Sequence, residues 1–123
     1  MRTELLRVDP HGEADPEAPF EMANLYPRDT GLPMTIWVSP RGRARHDVRV
    51  KVCETPGDRM DPTNTAVFAV RPVPRMLHGQ VSGDDAELVA RWIGINAEAL
   101  IAYWQGELST VEFALRMKKV AET

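Results

Sequence analysis

Between Arg43 and Cys53 the sequence alternates with a period of two: Val48, Val50 and Val52 fall on one side of an extended chain, and Arg43, Arg45, Asp47, Arg49 and Lys51 on the other. Successive side chains of a β-strand point to opposite faces, so this is the pattern of a strand with one face buried and one face wet. The valine face has to be covered by a second layer, which is the strongest constraint on what the chain can become. Residues 34–39, MTIWVS, alternate in the same way, and Pro40 and Gly42 separate the two runs as a turn. Residues 54–64, ETPGDRMDPTN, are dense in turn formers. They lead into Thr65–Arg71, which is apolar on both faces and reads as a central strand ended by Pro72 and Pro74. Met76–Val81 reads as a short edge strand, and Glu4–Val8 as one more short strand.

The covering layer comes from the C-terminal third. Ser82 is placed as an N-cap with Asp84 and Asp85 in the first turn, where the helix dipole favours negative charge. Leu88, Val89, Trp92, Ile93, Ala97, Leu100, Ile101 and Trp104 then follow the three-and-four spacing of a buried helical face, and Gly106 sits at a left-handed C-cap. Asn96 lies in that apolar stripe, where its amide needs a partner and is expected to bond backbone. A second helix opens on the capping box Ser109-Thr110-Val111-Glu112, with Leu108 clamped on Phe113, and is expected to run through Lys118 and Lys119. These elements predict an α+β domain over residues 34–123: a small antiparallel sheet of three to four strands packed by two C-terminal helices. Residues 1–33 are assigned to an acidic, Pro-rich arm, extended or mobile, whose repeated prolines disfavour a helix and whose anchors are Phe20, Met22, Leu25 and Tyr26.

The net charge of −3 conceals three blocks: −4 over residues 1–33, +4 over 34–75 and −3 over 76–123. Arginines at alternate strand positions stand about 7 Å apart, close to phosphate spacing, with Trp37 on the next strand as a stacking surface. The plainer reading is a solvated outer face that protects an edge. No constellation for catalysis is visible: there is no GxSxG, no Cys-His arrangement and no glycine-rich loop ending in Lys-Ser/Thr. His11, His46 and His78 are scattered and form no metal-ligand spacing, and His46 shares the valine parity, which places it at a strand end. The lone Cys53 reads as a structural thiol. No cofactor and no metal are expected. One cysteine, no 18-residue apolar run and a charged N-terminal stretch predict a cytoplasmic protein without a membrane partner.

The region WVSPRGRARHDVRVKV, followed by VARWIGINAEALIAYWQGELST, resembles small proteobacterial proteins known only as a domain of unknown function. The likeness covers about residues 34–120 and rests on the spacing Trp92, Asn96, Leu100, Trp104, Gly106. The helical end is also similar to a small family often encoded beside toxin–antitoxin-like partners, whose His-rich signature is absent here. These resemblances imply the fold and no activity. The sequence thus points to a small binding module acting by protein–protein interaction. Arg43, Arg45, Arg49 and Lys51 supply its electrostatic surface, and Trp37, Phe20, Leu25 and Tyr26 its apolar anchors. Nucleic-acid binding through the same basic face is the alternative, and a mobile-element inhibitor that inserts its acidic arm into a nucleic-acid channel is a third. A homo-oligomer is left open.

Overall fold

The valine alternation ends up in the middle of an antiparallel sheet. In a computed structural model, which describes residues 2–5, 21–61 and 63–120, six strands follow one another in chain order. They are β1 (Arg2–Leu5), β2 (Glu21–Leu25), β3 (Ile36–Val38), β4 (Arg49–Cys53), β5 (Thr65–Ala69) and β6 (Arg75–His78). Each pairs with the next in antiparallel register. The α+β class is as the sequence predicts, but the sheet has six strands rather than three to four. The alternation in EMANL is carried by alanine and asparagine, which give little strand signal, although Ala23 and Leu25 are fully buried.

Residues 21–33 are therefore built into the sheet and its core. After β2, Pro27 opens a single helical turn, α1 (Pro27–Thr30), although the prolines disfavour a helix here. The Tyr26 N–H donates to Asp29 Oδ2 at 2.9 Å, and Gly31 closes the turn with φ 82°. Such a turn persists because proline pre-sets the first helical φ and glycine takes the left-handed one. Phe20 lies outside the described residues.

One face of the sheet and the helices share the core. Leu25, Ile36, Val50, Val52 and Phe68 pack in one cluster with Val89, Trp92, Ile93, Leu100, Tyr103, Trp104 and Phe113. The helical layer differs from the sequence reading in two ways. First, the long apolar stripe is two helices, α2 (Gly83–Ile95) and α3 (Ala97–Trp104), broken at Asn96, whose φ and ψ are −115° and 11°. The break leaves the stripe nearly in phase, so periodicity does not reveal it. Second, α4 (Thr110–Arg116) stops before Lys118, because Met117 turns to extended geometry (ψ 138°) and the chain runs on as a strap.

Asn96 explains both. Its Nδ2 donates to the carbonyls of Trp92 and Lys118, each at 2.9 Å, while its Oδ1 accepts from the Lys118 N–H at 2.7 Å. The strap is held again where the Val120 N–H donates to the Thr30 carbonyl at 2.8 Å, with Val120 itself buried.

The predicted caps are present: Ser82 accepts from the Asp85 N–H, and Ser109 and Glu112 satisfy each other's amides. At the end of α3, the Gly106 N–H bonds to the Tyr103 carbonyl and the Glu107 N–H to that of Ala102, the Schellman pattern. Tyr103, outside the predicted stripe, is buried; its hydroxyl and Thr110 Oγ1 lie 2.9 Å apart and its ring stacks on Phe113.

Candidate functional site at the arginine end of the sheet

In a sheet whose strands follow chain order, alternate connections fall at opposite ends. The β3–β4 and β5–β6 connections share one end, and the β2–β3, β4–β5 and β6–α2 connections share the other. This sorts the charge that the sequence mixes. Residues 39–49 and 70–75 carry six arginines (Arg41, Arg43, Arg45, Arg49, Arg71 and Arg75) against one carboxylate, Asp47. At the other end, residues 26–35, 54–64 and 79–85 carry six carboxylates against Arg28 and Arg59. The five residues of β4 hold the two ends about 15 Å apart.

The extended stretch expected over 43–53 is a strand only from Arg49 to Cys53, so Arg43 and Arg45 leave the strand face and stand in the β3–β4 loop. Pairing stops because β3 has only three residues and Pro40 follows it without an N–H to donate. Val48 alone keeps its buried place from the earlier part of the run. The loop is nonetheless fixed. The Arg41 N–H donates to the Trp104 carbonyl at 2.9 Å, and the Ala44 N–H to the Arg41 carbonyl at 2.9 Å. Gly42, at φ 54°, makes the turn between them. His46, expected as a core or boundary residue at a strand end, is exposed in the loop, and its ring stacks on Trp104 at 5.4 Å between centroids.

Across the end, Asp47 binds Arg71 of the β5–β6 connection. Arg71 Nε lies 2.8 Å from Oδ2, and Nη2 lies 2.9 Å from Oδ1. This ion pair bridges the two connections with both side chains about half exposed. Arg41, Arg43, Arg45 and Arg75 are exposed and Arg49 is half-buried, so their charge faces water. Beside them Val73 and Ile95 expose 58% and 45% of their surface, flanking the place where Pro74 meets Gly94 of α2. The arginine end is therefore mixed cationic and apolar.

The remaining predicted residues lie elsewhere. Trp37 and Lys51 are directly opposed on β3 and β4, on the sheet face away from the core. Lys51 is exposed, but Trp37 is half-buried and its indole N–H is enclosed with no partner among the described residues, as is Oδ1 of its other neighbour Asn24. Tyr26 sits at the acidic end beneath the Arg28 guanidinium, 4.7 Å from the ring centre, and does not join the arginines. His46 and His78 occupy opposite ends of the sheet. Cys53 is buried beside a cleft of about 650 Å³ formed by its own loop, residues 55–61. Arg41, Arg71 and Arg75 are the members that sequence reading missed. Arg41 lies in the β3–β4 connection, Arg71 in the β5–β6 connection and Arg75 at the start of β6, and only the strand order brings the two groups to one end.

Electrostatics at this end and at the α4 cap share a sign. The hydrogen bond from Arg71 holds the Asp47 carboxyl below the usual aspartate range, and the Ser109 backbone N–H does the same for Glu112. A carboxyl whose folded pKa is depressed adds stability above its unfolded pKa and loses it as pH falls through the folded value. Between about pH 5 and pH 2 the wild-type chain is therefore expected to lose urea stability more steeply than an Asp47→Asn, Glu112→Gln double variant. Urea titrations across that range check it.

Compared with protein-family models, with curated proteins and with solved structures, the chain matches none of them. Among the described residues no helix is long and apolar enough to cross a membrane. Among the same residues no group of three or more His, Cys, Asp and Glu side chains is placed to hold a metal ion.

Proposed function

We propose that the chain is a non-catalytic binding module whose arginine end captures an acidic segment of another protein. The observation that carries this reading is the gathering of six arginines, from two connections and the strand starts that follow them, around a single carboxylate, next to exposed Val73 and Ile95. Arginine beside apolar surface is the composition of a protein-binding patch, and unpaired cations steer an acidic partner toward it. Nucleic acid is the weaker fit because single-stranded readers offer aromatic faces to bases. Trp104, the aromatic at this end, exposes only 5% of its surface and lies under His46.

The test is a titration of the full chain at low salt with a short polyglutamate peptide and, separately, with single-stranded DNA. The reading expects the peptide to bind and an Arg43→Glu, Arg45→Glu variant to lose about tenfold or more in affinity, each reversed loop charge costing on the order of 1 kcal/mol. Preferential DNA binding by the wild-type chain, or peptide binding indifferent to both substitutions, overturns it.

A further inference from the structure

We infer that Arg71 is the residue that reads a partner carboxylate directly, and that Asp47 is its positioning residue, holding the guanidinium with one edge engaged and the other presented. The inference rests on the acidic-segment reading above and names the group that recognises it.

A guanidinium has five N–H donors in a rigid plane, and a carboxylate can engage it along the Nε/Nη2 side or across the two Nη groups at the tip. Asp47 takes the side edge: both of its oxygens meet Nε and one meets Nη2, at 2.8 to 3.1 Å. Three N–H bonds, on Nη1 and Nη2, are left. No further partner of Arg71 is present among the described residues, and its side chain keeps 42% of its surface exposed. A free arginine loses rotamer entropy when it binds. Arg71 has already been ordered by an internal carboxylate, so a second carboxylate meeting its tip meets a preset fork.

Asp47 is itself well placed for this work. It follows the fixed turn at Arg41–Ala44 and the His46 ring seated on Trp104, so its backbone is anchored on the helical layer while its carboxylate crosses to the other connection. The Asp47–Arg71 ion pair thereby ties the two arginine-bearing loops together. The neighbouring Arg43 and Arg45 add long-range attraction, whereas the tip of Arg71 adds geometry, and lysine cannot reproduce a planar two-pronged contact.

This arrangement makes a prediction opposite in sign to simple charge counting. Removing a negative charge from an anion-binding surface should strengthen binding if attraction alone matters. If Asp47 positions Arg71, Asp47→Ala should instead weaken polyglutamate binding, by about threefold. Arg71→Lys, which keeps the charge, should weaken it similarly, and the two together should cost no more than either alone. Asp47→Glu should restore part of the loss.

The measurement is the affinity of the full-length variants for the same short polyglutamate peptide, with thermal melts run alongside to show that each is folded. Unchanged or tighter binding by Asp47→Ala, or wild-type affinity of Arg71→Lys, overturns the inference while leaving the acidic-segment reading intact if Arg43→Glu, Arg45→Glu still loses about tenfold or more in affinity. Absence of binding by the wild-type chain overturns both.

Discussion

Asn96→Ala is expected to destabilise the protein by about 3 kcal/mol, measured by urea unfolding. The side chain is 3% exposed and makes three hydrogen bonds, two of them to the N–H and carbonyl of Lys118 and one to the carbonyl of Trp92. Alanine leaves the N–H and carbonyl of Lys118 unpaired beside the core, while the Trp92 carbonyl keeps the backbone N–H of residue 96 at 3.2 Å; a stranded buried polar group costs about 1–3 kcal/mol. Water can reach the Lys118 groups if the strap lifts, which limits the total. The strap is therefore where the loss should be seen. Amide exchange at Lys118 and Val120 should accelerate far more than exchange at Val50 or Phe68 in the sheet. Asn96→Asp should fare no better, because a carboxylate still accepts from Lys118 but donates to neither carbonyl. Stability unchanged within about 0.5 kcal/mol in Asn96→Ala would show that the strap is held by Val120 alone.

Gly79→Ala should cost about 4 kcal/mol, combining backbone strain with overpacking against a strand. Gly79 ends β6 with φ 107°, a conformation L side chains rarely adopt, and a Cβ there would lie 2.4 Å from Ala66 Cα and 2.5 Å from Ala66 Cβ. Ala66 is fully buried within β5 and cannot yield. The same step carries the Gln80 N–H onto the Glu54 carboxylate, so a displaced Gly79 also loosens the β4–β5 loop. Gly42→Ala is the control. Its φ is also positive, 54°, but a Cβ there meets nothing within 4 Å, so only the conformational cost of about 1 kcal/mol applies. Equal effects at the two positions in urea unfolding would mean that strain alone matters and that β5 and β6 do not pack as closely as described.

The same contrast shows what was legible in the residues. The valine alternation, the apolar Thr65–Ala69 strand and the Ser82 and Ser109 caps each follow from chemistry within a few residues, and each forms. β2 was obscured because Ala23 and Asn24 carry little strand preference, and its burial depends on β3 lying beside it. The break at Asn96 was hidden because the apolar stripe continues almost in phase across it, while its cause, Lys118, lies 22 residues away. Arg43 and Arg45 show the limit of alternation most clearly. Their parity matches the strand face, but a strand needs a neighbour, and β3 ends too early to provide one. Their gathering with Arg71 and Arg75 depends on strand order, which no local pattern encodes.

The central claim is spatial: the charged connections are sorted to opposite ends of the sheet, and the arginine end is where an acidic segment binds. Amide chemical shifts of the isotopically labelled full chain, followed during titration with the short polyglutamate peptide at low salt, test it most directly. The account predicts that shifts concentrate at residues 41–49 and 71–75, with neighbours in the last turn of α2, while residues 54–64 and 26–35 stay still. Shifts centred on the 54–64 loop, spread evenly over the molecule, or absent altogether would contradict it.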